Sequence, residues 1–392
     1  MYTLIEIFDS KQYENIISAV SIDGISKVIY IGTKNTMTRE KTQNIKNFFS
    51  VRKSNLPVEF FFVERDSSVS VLNTLNKILE CNNNCVLDVT GGEDVILVNV
   101  GIFAAEHSVP VIRTNAKTGE FSVIYGSVRG LSPHSARFAI TDFITLQGGK
   151  IRSSEVVRNF SSDEANDIKS LFRVNASDCE AYSIFCNFVS EFISFSKKTL
   201  CFEKDKLEKK SVSTADAVIS VLKKLCDCSL LKENDFTSFH YSYNIKSNII
   251  ATCLKKSGNI LEYYAALAAS ELKNIFTDIR VGTSIEWNDK RAKYETQNEI
   301  DVLAVSKNVP VFISCKNGEV KKEALYELDT VSRVLGGAYT KKVLICTYIS
   351  ENASSRAHFI KRAQDMDIEL IYDAHKKTYT EFLRYLKNSV NY

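Results

Sequence analysis

At 392 residues, with 44% hydrophobic and 25% charged side chains, the chain has the balance of an ordinary globular protein built from two or three domains. Disordered and collagen-like architectures are excluded by that composition. Fifty Lys and Arg against 47 Asp and Glu leave a net charge of +3, too mild to announce a nucleic-acid partner without local features.

The ten cysteines do not read as a disulfide framework. The opening MYTLIEIFDSKQYENI has no basic segment followed by an apolar one, and no window approaches 18 uncharged apolar residues. The pairs Cys81/Cys85 and Cys226/Cys228 lack zinc-ribbon spacing. Reduced, structural thiols in a cytoplasmic protein are the expectation.

Residues 1–145 form the first expected domain. Short β-rich runs (Thr3–Phe8, Lys27–Ile31, Val58–Val63, Cys85–Val89, Pro110–Arg113, Phe121–Tyr125) alternate with apolar residues at helical spacing, such as Tyr13, Ile16, Ile17 and Val20. This α/β alternation predicts a Rossmann-like, mostly parallel sheet with helices on both faces. The stretch Val95–Ala105 is apolar nearly all round, so a helix wedged against the sheet is expected there.

In such sheets ligands sit at the carboxyl ends of the strands. Three strand ends carry small and hydroxyl residues: Asp9-Ser10-Lys11, Gly32-Thr33-Lys34, and Thr90-Gly91-Gly92 followed by Glu93 and Asp94. Glycines there let the backbone approach a guest, and a helix N-terminus favours negative charge, so phosphate is the natural ligand. Neither GxxxxGK[ST] nor GxGxxG is present, which argues against nucleotide hydrolysis and NAD binding.

Residues 146–250 are less informative. Gln147–Lys150 reads as a linker, Cys179–Phe195 as a helical stretch, and Phe202–Ser213 as a solvated charged segment. A helix over Ala215–Leu231 followed by the short runs Phe239–Tyr243 and Asn248–Leu254 suggests a helical, winged-helix-like unit. The aromatics Phe236, Phe239, Tyr241 and Tyr243 suit either base stacking or a half-buried strand.

Residues 251–392 carry the sharpest chemistry. A helix opens near Gly258 and bears Glu262. Strands follow at Val281–Trp287, at the run from Asn298 to Val305, and at Val309–Cys315, with Lys316 just beyond. A helix over Val320–Leu335 then ends at Gly336-Gly337, before the strand Lys342–Thr347. Residues at i and i+2 of a strand share a face, so Glu299 pairs with Asp301 and Ser314 with Lys316. If the two strands form a hairpin, all four project to one surface, to which Glu262 adds a third carboxylate. Carboxylates grouped beside a lysine suit Mg2+ or Mn2+.

Helix Glu262, then Asp301-x(12)-Ser314-x-Lys316, resembles the PD-(D/E)xK nuclease superfamily, a restriction-endonuclease-like α/β fold. Upstream, YIGTK and LDVTGGEDVILVNVGIFAAE resemble the CARF domain, the CRISPR-associated Rossmann fold. Together the chain resembles the cyclic-oligoadenylate-activated nucleases of type III CRISPR antiviral defence. The resemblance implies a homodimer binding cyclic tetra-adenylate across its axis, and metal-dependent cutting of DNA, as single strands or supercoiled duplex, with RNA as a second substrate.

By that resemblance Asp301 is the metal-binding aspartate, Lys316 the catalytic lysine and Glu262 the helix glutamate; Glu262, Glu299 and Asp301 are the candidate metal ligands. Two departures stand out. Ser314 replaces the second carboxylate, and Glu93-Asp94 replace the Thr-Lys that often follows the paired glycines. The Ser314 departure keeps open a ligand-responsive DNA-binding transcriptional regulator with an inactive nuclease fold; a third reading is a first domain that degrades its own cyclic ligand. Arg129-Gly-Leu-Ser-Pro-His134 fits the R-x4-H spacing of HEPN ribonucleases, but glycine and proline argue for a loop.

Overall fold

The computed structural model describes every residue except 54, 158, 235–238, 288–296, 337–338 and 391–392. Its first sheet has six strands in the order Val58–Val63, Ile25–Thr33, Tyr2–Ile7, Cys85–Asp88, Val111–Thr114 and Phe121–Tyr125. All neighbours pair in parallel except the last two. Alternation sends Leu4, Tyr30 and Val86 into one apolar layer, and Ile5, Ile7, Ile29, Ile31 and Leu87 into the other. Burial on both faces is what a parallel sheet requires, and it explains the near-continuous apolar runs of these strands. Strand order reverses between Tyr2–Ile7 and Cys85–Asp88, so the loops at Asp9 and Thr90 open at the topological switch point.

The helix expected against this sheet is present, with one face left open. The helix Asp94–His107 is apolar all round in sequence, yet it is not enclosed: Val95, Val98 and Ile102 are 38%, 64% and 50% exposed. Ile96, Val100 and Phe103 pack with the sheet, and Val98 and Ile102 leave the opposite face exposed.

The middle of the chain holds a four-stranded sheet in the order Ile193–Ser194, Thr199–Glu203, His240–Ile245, Leu231–Glu233, with antiparallel pairing throughout. The helix Val212–Asp227 precedes its outer pair of strands. The run Asn248–Leu254 was expected to be a strand and is instead the helix Asn248–Lys255. Ser247 caps it by accepting from the Ile250 amide, and Ile250, Ala251, Cys253 and Leu254 are buried at helical spacing. Phe236 lies outside the described residues, Phe239 is 74% exposed, and Tyr243 is buried, which removes Tyr243 as a stacking platform.

The last sheet runs Ile368–Ile371, Lys341–Tyr348, Val309–Glu319, Gln297–Ser306, Phe276–Trp287 and Gly149–Val157. Its sixth strand comes from the segment read as a linker: Gly149–Val157 pairs antiparallel with Phe276–Trp287. Alternating charge along KIRSSEVV suits an edge strand half open to solvent, a pattern easily taken for a loop.

One face of this sheet shares a core with the middle unit and the helix Asn259–Glu271. The other face shares a core with the first domain, where Phe8, Tyr13 and Phe143 join Leu303, Phe312 and Leu344. The first domain therefore packs on the last one, through the helix Ile140–Leu146 against Gln297–Ser306 and the helix Glu323–Gly336. Across the junction the Ile140 amide donates to Asp278 Oδ2 at 2.7 Å, and the Arg52–Asp142 ion pair ties the helix that carries Ile140 to the rest of the first domain. All ten cysteines are unpaired. Among the described residues, no helix is long and apolar enough to cross a membrane.

Candidate active site and ligand pocket

The strands Gln297–Ser306 and Val309–Glu319 form the expected antiparallel hairpin, with Val302 opposite Ile313 and Ser306 opposite Val309. Lys316 lies within the second strand rather than beyond it. Ser314 Oγ donates to Asp301 Oδ2 at 3.1 Å, the Cys315 amide donates to the same oxygen at 2.7 Å, and Lys316 Nζ stands 3.7 Å away. The serine that replaces a carboxylate thus orients the remaining one. A cavity of about 200 Å3 opens over this hairpin, lined by Glu299, Asp301, Ser314 and Lys316, by Lys256, and by Glu327, Leu328 and Val331 of the helix Glu323–Gly336.

Glu262 comes from the other side of the sheet, on the helix Asn259–Glu271, and does not line that cavity. It is 6% exposed. Burial pushes its carboxyl up to about 7, with Asp301 and Glu299 adding repulsion while Lys256 and Lys316 oppose it. Glu262, Glu299 and Asp301 do not gather into a three-ligand cluster; among the described residues no group of three or more such side chains stands ready for a metal. The donor chemistry still fits a hard cation. The charged oxygens here among the described residues are carboxylates, burial and then their mutual repulsion push Glu262 up, and a divalent ion would offset that repulsion.

The second concavity, about 890 Å3, lies at the switch point of the first sheet. It is lined by Asp9, Lys11, Thr90, Gly91 and Gly92 as expected, and by Glu14, Val98, Arg113, Tyr125 and Tyr339, which sequence reasoning missed. Gly92 sits at φ +127°, and an added Cβ would come within 2.3 Å of Ile7 Cγ2, so no larger residue fits this loop.

The other expected residues play different parts. Thr33 and Thr36 hydroxyls donate to Glu93 Oε1 at 2.6 and 2.8 Å, tying the Gly32-Thr33-Lys34 loop to the paired glycines instead of opening it to a guest. The Ser10 carbonyl accepts from Lys41 at 3.0 Å. Ser10, Gly32, Thr33, Lys34, Glu93 and Asp94 do not line the cavity.

Two loop amides are also spoken for. Gly92 N–H donates to Asp9 Oδ2 at 2.8 Å, and Thr90 N–H donates to Asp88 Oδ1 at 2.8 Å. Lys11 and Arg113 therefore carry the cationic side of the pocket. Lys11 is 3.4 Å from Glu14 Oε1, while Arg113 is exposed and forms no ion pair among the described residues. The R-x4-H decoy is a loop: no helix covers residues 129–134, and His134 Nδ1 lies 3.7 Å from Asp23 Oδ2.

Comparison with known proteins agrees with both ends of this picture. Residues 253–390 match the family model described as Card1-like, endonuclease domain. Protein VC1899 from Vibrio cholerae superimposes with a TM-score of 0.75 at 15% identity, over 99% of this chain and 98% of that one. Can2 from Sulfobacillus thermosulfidooxidans, in complex with cyclic tetra-adenylate, superimposes with a TM-score of 0.70 at 15% identity over 100% of both chains. Among curated proteins, none matches. The whole chain therefore shares its fold with these two structures, and its last third carries the match to the Card1-like endonuclease domain.

Proposed function

We propose that the chain is a homodimeric endonuclease, switched on by cyclic tetra-adenylate and dependent on Mg2+ or Mn2+, that cuts DNA and, as a second substrate, RNA in antiviral defence. The observation that carries this reading is the Asp301–Ser314–Lys316 cluster on a family-matched hairpin, facing a cavity and electrostatically coupled to buried Glu262.

Asp301 would anchor the cation, and Glu299 and Glu262, which stand apart in the metal-free chain, would close on it; the ion would supply a Lewis acid and lower the pKa of bound water. Ser314 and the Cys315 amide fix the Asp301 carboxylate in one orientation, limiting the rearrangement needed on binding. Lys316, partly exposed beside Asp301, offsets charge developing on the scissile phosphate. Lys256 supplies a second cation on the cavity wall for the incoming backbone.

Support for the activator comes from the pocket at the switch point, where Lys11 and Arg113 face a space bounded by Thr90 and Gly91, and from the cyclic tetra-adenylate complex of the similarly folded Can2. The test is cleavage of supercoiled plasmid and labelled single strands in Mn2+, with and without cyclic tetra-adenylate. Asp301→Ala and Lys316→Ala should each lower ligand-dependent cutting by at least about a hundredfold. Protection of a defined DNA site with no cutting by the wild type would replace this reading with a regulator.

A further inference from the structure

Tyr339 belongs to the last domain in sequence, three residues beyond the end of the helix Glu323–Gly336. It nevertheless lines the ligand pocket of the first domain, beside Asp9, Lys11, Glu14 and Arg113. It also lines the adjoining cleft formed by Thr90, Arg113, Asn115 and Glu120. Burial first, and then the charge of the Glu14 carboxylate, push its hydroxyl up to about 12, and that same carboxylate pairs with Lys11.

The helix leading to Tyr339 has Glu327, Leu328 and Val331 in the wall of the active-site cavity. At its far end, Gly336 packs so closely on Thr340 that an added Cβ would fall 1.8 Å from Thr340 Oγ1. Thr340, the neighbour of Tyr339, therefore lies against the helix end.

From this juxtaposition we propose that Tyr339 is a ligand-binding residue donated by the nuclease domain, and that it gives the cyclic oligonucleotide its grip on the active site through the helix Glu323–Gly336. The inference rests on the ligand reading above and goes a step further. A ligand shifts an equilibrium only by its differential affinity for the two states. A guest touching the first domain alone would bind equally well whatever the placement of the last domain, and would activate nothing. Tyr339 provides the differential contact. An adenine ring can stack on its face and a phosphate can accept from its hydroxyl, while the same phosphate competes with Glu14 for Lys11.

The experiment uses the full chain. Affinity for cyclic tetra-adenylate is measured by titration calorimetry without metal, and plasmid cutting in Mn2+ is measured with and without the ligand, for wild type, Tyr339→Phe and Tyr339→Ala. Tyr339→Ala should bind roughly tenfold more weakly, and its ratio of ligand-stimulated to ligand-free cutting should fall by about tenfold, within the usual range of coupling between sites. Tyr339→Phe keeps the ring and the fold, and should fall between.

A merely structural role would lower both rates together and leave affinity and ratio intact; that result overturns the proposal. Wild-type affinity and stimulation in Tyr339→Ala overturn it too, while leaving the ligand reading in place. A wild type that binds no cyclic tetra-adenylate removes both. If the wild type binds without cutting, the affinity ratio alone decides.

Discussion

At the scale of single residues, the informative group is Glu262. Its carboxyl is held at about 7 by burial and by the neighbouring Asp301 and Glu299 charges. An acid whose folded pKa is raised holds its proton in the folded state over a range where the unfolded chain has lost it. Between about 4.5 and 7, then, the native state binds more protons, and stability falls as pH rises through that window. Glu262→Gln removes the titration. The metal-free variant should be more heat-stable than wild type at pH 8, by a few degrees for an effect on the order of 1–3 kcal/mol, and the gap should close by about pH 4.5. Melting curves across pH check this; a gap that does not vary with pH would show that the carboxyl is not raised. Mn2+ at pH 8 should raise the melting temperature of wild type more than that of Glu262→Gln, because the glutamate's cost becomes a ligand's contribution.

At the scale of elements, strength of pattern decided what could be read. Val58–Val63 and Phe121–Tyr125 fall where the runs of β-branched and aromatic residues placed them. The hairpin that brings Asp301 to Ser314 was legible for the same reason, since a two-residue turn at Lys307-Asn308 leaves only one register. What failed was short or amphipathic. Eight residues from Asn248 fit either period, and the Ser247 cap rather than the apolar pattern decides for helix. Gly149–Val157 is an edge strand whose partner lies more than a hundred residues away in sequence, so nothing local marks it.

The ligand pocket divides along the same line. Its loop residues Asp9, Lys11, Thr90, Gly91 and Gly92 were legible as strand ends rich in small and hydroxyl side chains. Glu14, Arg113 and Tyr339 arrive from a helix, another strand and another domain, and only folding brings them together. The paired glycines allow a sharp test of the loop. Gly92→Ala must relieve both φ +127° and a 2.3 Å contact with Ile7. It should cost about 1–3 kcal/mol in denaturant unfolding and weaken cyclic tetra-adenylate by tenfold or more, with Asp301 and Lys316 untouched. Unchanged affinity in a folded variant would mean that the ligand does not depend on this loop.

At the scale of the molecule, the open face of the helix Asp94–His107 connects pocket to assembly. Val98 and Ile102 stand exposed beside Ile124 (59%) and Tyr125 (41%), and Val98, Ile124 and Tyr125 also line the ligand pocket. A single chain gains nothing by leaving this apolar surface in water, and contiguous exposed patches of this kind mark interaction sites. In the proposed homodimer a second copy would cover the face and close the pocket from above, so the ligand would be read by two sets of Lys11, Arg113 and Tyr339 at once. The variant Ile102→Asp tests this without disturbing the fold or the pocket lining, because its side chain is half exposed in the single chain, lies outside the pocket, and exposed substitutions usually change stability by less than about 0.5 kcal/mol. Light scattering should find the wild type as a dimer and the variant as a monomer with the same melting temperature to within a few degrees. Its affinity for cyclic tetra-adenylate should drop by at least about tenfold, since half of the binding contacts leave with the partner. A variant that remains dimeric and responds fully to the ligand would move the interface to another face, and would require the pocket to be completed by the chain that already holds it.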